Sequence, residues 1–286
     1  MTSDVITLPD GRRLRWHEFG DPDGLPVIYT TGTPVSGLGG AWYDRSARAV
    51  GLRWISPDKP GYGGSDYHRQ RTLASWSDDV AALADHLSLD RFALAGESGG
   101  GPFTLAAAHQ LADRVSVAAL IASAGAARTS RAERAGQQAR IRFYGWLARN
   151  APPLNAVPLT VMRWSLAGPA KVERALRREM AGKPEAKHAG LRIEYEAVAD
   201  ALRQGTRGAV QELALIRPPW PFALANIKTP VHLWHGARDT NAPIATSRHL
   251  ARELPDATMH VSDSSDHDIG HDLSEEITSV IASCVR

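Results

Sequence analysis

A single cysteine in 286 residues, Cys284, excludes an intramolecular disulfide. Its apolar setting, ITSVIASCV, predicts a buried structural thiol and not a reactive one. No uninterrupted apolar run approaches the roughly 20 residues that a membrane-spanning helix needs. The opening MTSDVITLPDGRR lacks the basic segment and apolar core of a secretory signal. The expectation is a cytoplasmic protein without a membrane partner. A large excess of one charge sign is also lacking: the net charge of +2 gives no footing for a dedicated nucleic-acid binder. No internal repeat or low-complexity tract is present, which excludes a solenoid. No His/Cys/Asp cluster has the spacing of a zinc site, so neither metal nor organic cofactor is expected.

What is present is ordinary globular material, 43% hydrophobic and 22% charged, enough for one large α/β core and a subordinate lobe. Its charge is unevenly placed. Residues 127–226 hold 14 Arg and 3 Lys against 7 Glu and 1 Asp, a surplus of nine, which leaves the rest at −7. A basic insert on an acidic body is suited to anionic substrates or an acidic partner, or is simply a solvated helical surface.

Hydrophobic periodicity gives the fold class. Strands are predicted at 13–19, 26–31, 52–57, 91–96, 115–124, 230–235 and 257–261. Helices are predicted between them. In the one over 72–89, Leu73, Trp76, Val80, Leu83 and Leu87 recur at spacings of three and four. Others are expected after residue 102 and over 245–254. This alternation predicts an α/β fold with a mostly parallel sheet flanked by helices. From 127 to 226 the rhythm changes to Arg- and Ala-rich helical sequence, broken by APPL at 151–154 and RPPWP at 217–221. That block is read as a helical cap inserted in one core domain, residues 1–126 and 227–286.

The segment GESGGGP at 96–102 carries the chemistry. It matches Gly-x-Ser-x-Gly, with a predicted strand before it and a helix after. A sharp strand-to-helix turn crowds its neighbours, and glycines two residues either side of Ser98 relieve that crowding. The Ser98 hydroxyl then projects from the strand end, with the Gly99 N–H and a helix N-terminus near developing negative charge. A phosphate-binding loop is excluded because no Lys-Ser/Thr follows the last glycine.

A serine hydroxyl needs a base, and the base an orienting carboxylate. Asp239 lies in a loop just beyond the strand at 230–235, and His267 just beyond the strand at 257–261. Nucleophile, acid and base thus fall in the order this kind of turn implies. Of the 11 histidines, His235 and His260 lie within strands, and His271, the nearest rival, is expected to open the last helix. The loop after the early strand, Gly32-Thr33-Pro34, offers the backbone N–H of Thr33 as a second oxyanion donor beside that of Gly99.

Together with DKPGYGGS at 58–65 and WHGARD at 234–239, these pieces resemble the α/β-hydrolase superfamily, in particular its cap-bearing, esterase-like bacterial members. The resemblance covers about residues 10–125 and 215–285. It implies a serine hydrolase cleaving a carboxylic ester or similar acyl bond of a small to medium organic substrate, through an acyl-enzyme. Epoxide hydrolases and haloalkane dehalogenases of the fold use an Asp nucleophile, so Ser98 points away from them. Carbon–carbon bond hydrolysis, amidase or peptidase activity, and non-hydrolytic ligand binding are the alternatives.

Two positions depart from the family pattern. Thr31 stands where a His is usual before the oxyanion residue. Ser264-Ser265-Asp266 replaces a glycine-rich loop, and Asp266 beside the base is expected to raise the His267 pKa. In the cap, Phe143, Tyr144, Trp146, Trp164 and Trp220 are expected to supply apolar surface, most of it cap core with one or two residues facing substrate. Trp146, Trp164, Trp220 and Phe222 are the substrate-binding candidates, Trp220-Pro221-Phe222 re-entering the sheet domain close to the expected pocket mouth.

Overall fold

The computed structural model describes residues 2–124, 137–217 and 219–285. Eight strands form one sheet: β1 (Thr2–Thr7), β2 (Arg13–Gly20), β3 (Leu25–Thr30), β4 (Leu52–Pro57), β5 (Phe92–Glu97), β6 (Val115–Ile121), β7 (Val231–Gly236) and β8 (Ala257–Ser262). Their spatial order is β1-β2-β4-β3-β5-β6-β7-β8. The β1/β2 and β2/β4 pairs are antiparallel and every later pair is parallel. The predicted strands are all present. The added one, β1, buries only Ile6, so no alternation marks it in the sequence.

Helices cover both faces of the sheet, as a parallel sheet requires. Odd and even positions along the strands serve different cores. Ile28 and Leu94 pack under Trp76 and Leu83 of α2 (Leu73–His86), with Phe103 of α3 (Gly101–Gln110) in the same cluster. Val27, Tyr29 and Trp54 pack on the opposite face, against Ala47 of the short helix preceding α2, here α1 (Asp44–Ala49). Each such large apolar side chain stabilises the fold by about 1.5–3 kcal/mol when fully buried. The predicted periodicity of α2 is realised. Its start is fixed by a reciprocal cap in which Thr72 Oγ1 accepts from the Ser75 N–H (3.0 Å) and Ser75 Oγ from the Thr72 N–H (2.9 Å).

Between β6 and β7 the chain leaves the sheet for a helical insertion. It comprises α4 (Ala139–Asn150), α5 (Ala156–Ser165), α6 (Pro169–Met180), α7 (His188–Ala201) and α8 (Arg207–Leu215). Leu159, Leu166, Val172, Leu176 and Leu202 form its own apolar cluster, closed from below by Tyr62 of the sheet portion. The expected first boundary, at 126/127, lies outside the described residues. The return is more gradual than the expected boundary at 226/227, because Trp220, Phe222 and Leu224 already pack on the sheet core.

Three helices complete the chain: α9 (Ala245–Glu253), α10 (Ile269–Asp272) and α11 (Ser274–Val285). Ile277 and Ile281 of α11 are buried against the sheet. Cys284, expected to be buried, is exposed. It falls in the last turn of α11, past those packing residues, with its sulfur 3.7 Å from His232 Nε2. No described helix is long and apolar enough to cross a membrane.

Candidate active site

Parallel strands bring the loops at their C-terminal ends to one edge, where ligands bind in open α/β sheets. The loops after β3, β5, β7 and β8 supply Thr33, Ser98, Asp239 and His267 to that edge. Ser98 opens the turn between β5 and α3 with φ +49°, a conformation costly for any residue with a side chain. Room for it comes from the flanking glycines. A Cβ on Gly96 would stand 2.0 Å from Thr104 Oγ1, and one on Gly100 would stand 2.1 Å from the Thr30 carbonyl oxygen. The Ser98 carbonyl is held by the Ala124 N–H at 2.8 Å.

The three side chains expected to act together do meet. His267 Nε2 lies 3.0 Å from Ser98 Oγ, and its Nδ1 lies 2.7 Å from Asp239 Oδ2. The other Asp239 oxygen accepts from the backbone N–H groups of Asn241 (2.7 Å) and Ala242 (2.9 Å). His271 does not join them; it lies in α10, its ring against Gly190 of the helical insertion. Strand residue His235 proves to be a further partner of the acid. It is fully buried, bonds to Ser247 Oγ (2.7 Å) and the Ala242 carbonyl (2.9 Å), and comes within 3.3 Å of Asp239 Oδ2.

Electrostatics separates the acid from the base. Burial alone would raise the Asp239 pKa. Hydrogen bonds from His235 and His267, the His267 charge and the Ala242 N–H reverse this and hold it well below the usual carboxylate range. Burial alone would lower His267. The bond to Asp239 and the charges of Asp239, Glu97 and Asp268 outweigh it, so His267 sits above its ordinary 6.5. Of the two acidic sequence neighbours, Asp268 is among the main causes of this rise, and Asp266 accepts the Asp268 N–H at 3.0 Å. Glu97, inside the elbow, was not singled out from sequence. Burial pushes its carboxyl up to about 7, against a hydrogen bond from the Tyr29 hydroxyl and the His267 charge.

The loop after β3 closes the other side of Ser98. Thr31 stands in the usual His position and does structural work: its hydroxyl donates to the Val35 carbonyl at 2.6 Å. The Thr33–Pro34 peptide is cis. A Cβ on Gly99 would lie 3.5 Å from the Thr33 backbone nitrogen and collide with the Thr33 hydroxyl. Residues Thr33 and Gly99 thus flank the same space beside Ser98. A narrow cavity next to the base is lined by Trp42, Glu97, Leu191, Glu194, Asp268 and His271. Two cap lysines, Lys183 and Lys187, also border it, so its charge is mixed and not uniformly basic.

The aromatics expected at a pocket are not brought to Ser98. Phe143, Trp146 and Trp164 are neither cap core nor lining; each is more than half exposed on α4 or α5. Trp220 stacks on Phe222, and Phe222 on His109 in the last turn of α3. The elbow is at the first turn of that ten-residue helix, about 15 Å away. Among the described residues no group of three or more His, Cys, Asp or Glu side chains could hold a metal ion.

The family described as the alpha/beta hydrolase fold matches residues 35–272. The chain belongs to that family. A pimeloyl-(acyl-carrier protein) methyl ester esterase from Aromatoleum aromaticum is 30% identical over 230 residues, covering 78% of this chain and 81% of that one. A dihydrolipoyllysine-residue acetyltransferase component of an acetoin cleaving system, from Pseudomonas putida, is 41% identical over 120 residues. That match covers 40% of this chain and only 31% of the relative's length. Among solved structures, the esterase RhEst1 from Rhodococcus superposes with a TM-score of 0.70 at 20% identity, over 99% of this chain and 100% of that one. In this α/β-hydrolase, the insertion between β6 and β7 is the helical addition to the family's sheet.

Proposed function

We propose that this α/β-hydrolase is a serine esterase that cleaves a carboxylic ester, or a similar acyl bond, of a small to medium organic substrate. The observation that carries the reading is His267, which joins the strained Ser98 to the buried Asp239 through hydrogen bonds of 3.0 and 2.7 Å. The esterase named above, similar over most of both chains, supports the bond type.

In this mechanism Asp239 fixes the proton on His267 Nδ1, so Nε2 accepts the Ser98 proton as Oγ attacks the carbonyl carbon. The resulting imidazolium is stabilised by Asp239 and Glu97. The backbone N–H groups of Thr33 and Gly99 hold the oxyanion. His267 returns its proton to the leaving alkoxide, which departs as alcohol and leaves an acyl-Ser98. Water, deprotonated by the same His267, then releases the acid. Residues 127–226 act as the cap over a core of 1–126 and 227–286, limiting access to the cavity beside the base.

The test is p-nitrophenyl acetate or butyrate turnover by wild type and by Ser98→Ala. Loss of turnover in a folded variant is expected, and retained activity would overturn the assignment.

A further inference from the structure

The cap does more than cover the site. Helix α8 carries Glu212 down to the back of the loop that follows β3, where its carboxylate is fully buried. One oxygen, Oε1, accepts the Thr33 hydroxyl and the Lys59 ammonium, the latter at 2.5 Å. The other, Oε2, accepts from Arg71 at 3.0 Å. Lys59 is equally buried, and its remaining donors go to the carbonyls of Thr31 (2.8 Å) and Gly32 (2.9 Å).

The Gly32 carbonyl and the Thr33 N–H belong to one planar peptide unit. In a trans peptide they point in opposite directions, so holding the carbonyl sets the direction of the N–H. Lys59 grips that carbonyl, and Glu212 grips the side chain of the same Thr33. Glu212 also makes the grip possible. A buried ammonium without a countercharge sheds its proton, and burial does push the Lys59 pKa down while Glu212 opposes the fall. We propose that Glu212 is a positioning residue for the oxyanion hole, aiming the Thr33 N–H through Lys59 and the Thr33 hydroxyl. The hole is therefore assembled across the boundary between cap and core.

The backbone around it fits this role. Gly208, one turn before Glu212 on α8, lies against the Pro60–Gly61 backbone, where a Cβ would stand 2.8 Å from the Pro60 carbonyl oxygen. From the turn between α7 and α8, the Arg203 and Gln204 side chains bond to the Gly63 carbonyl at 2.6 Å each. Helix α8 is thus fixed to the core and not free to swing with a lid.

The inference rests on the serine-hydrolase reading, and its test separates the two. Variants Glu212→Gln, Thr33→Val and Thr33→Ser are compared with wild type by kcat and KM on a p-nitrophenyl ester, well below each melting temperature. Fluorophosphonate labelling of Ser98 in wild type first checks the reading itself. Given that labelling, Glu212→Gln and Thr33→Val should each lower kcat by about 10- to 100-fold with KM little changed. That is less than the loss of a whole oxyanion donor. Thr33→Ser, which restores the hydroxyl, should recover most of the loss. The double variant Glu212→Gln/Thr33→Val should be no worse than the poorer single, because the Thr33 hydroxyl acts only through Glu212. Melting temperatures that fall while kcat stays at the wild-type value, or a Thr33→Ser variant as slow as Thr33→Val, would overturn the proposal. Absence of wild-type labelling would instead overturn the serine-hydrolase reading.

Discussion

Two polar seams converge on Ser98, and they are built differently. In the first, Ser98, His267 and Asp239 all come from loops at the ends of core strands, and each meets the next by one hydrogen bond. In the second, Thr33, Lys59, Arg71 and Glu212 link a core loop to a cap helix around one fully buried carboxylate. In the proposed mechanism the first moves protons. The second moves none and sets geometry. The contrast teaches that groups touching the reacting atoms are announced by motif, whereas groups aiming them are set by whichever element packs behind.

The largest effect expected on the first seam is from Asp239→Asn. It leaves the contacts nearly isosteric but removes the charge and alters which His267 nitrogen carries the proton. In comparable triads this costs about 10⁴ in kcat, so steady-state kinetics should show a loss of that order with the fold intact. A loss under tenfold would mean that the first seam is not a working triad. Effects on the second seam should be about two to three orders of magnitude smaller, which is the sharpest way to tell the seams apart.

A smaller effect is expected from Glu97, which stands behind the base. Activity needs neutral His267, whose pKa lies above 6.5, so kcat/KM should rise with pH through a value above 6.5. The Glu97 charge helps to hold the His267 pKa up. Because the Glu97 carboxyl itself titrates at about 7, that charge is present only from about neutrality upward. In Glu97→Gln the acid limb should therefore move to lower pH, with the relative gain in activity greatest near pH 7 and fading by about pH 6. A pH profile identical to wild type, or one shifted upward, would show that Glu97 does not act on the base.

The smallest effect belongs to the outer face of the cap. Trp146 and Trp164 are more than half exposed. Their replacement by Ala should leave kcat and KM within about twofold and stability within about 0.5 kcal/mol, as for surface positions generally. A KM rise of tenfold would return them to the substrate pocket.

Much of this was legible in the sequence, and the residues show why. The Ser98 turn is dictated by local sterics, so its glycines and flanking elements appear in a short string. Asp239 and His267 follow from the strand ends that carry them. Strand β1 escaped because an exposed edge strand buries only Ile6 and needs no alternation. The cap aromatics misled because a large apolar side chain in a helical segment looks alike whether it faces core, ligand or water. Glu212 gave a fainter signal. It shares a helix face with Gly208 and Ala209, small residues that mark close approach to another backbone. What approaches, and that Lys59 waits there, depends on the tertiary fold alone. The same holds for Glu97, whose raised pKa arises from burial beside Tyr29.

The central claim is that Ser98 is an activated nucleophile. Its most direct test is treatment of the full chain with a fluorophosphonate probe, followed by peptide mapping. The account predicts one covalent adduct, on Ser98, with a labelling rate that rises with pH as His267 loses its proton and that collapses in Asp239→Asn. No adduct on Ser98, or labelling at the same rate in Asp239→Asn as in wild type, would contradict it.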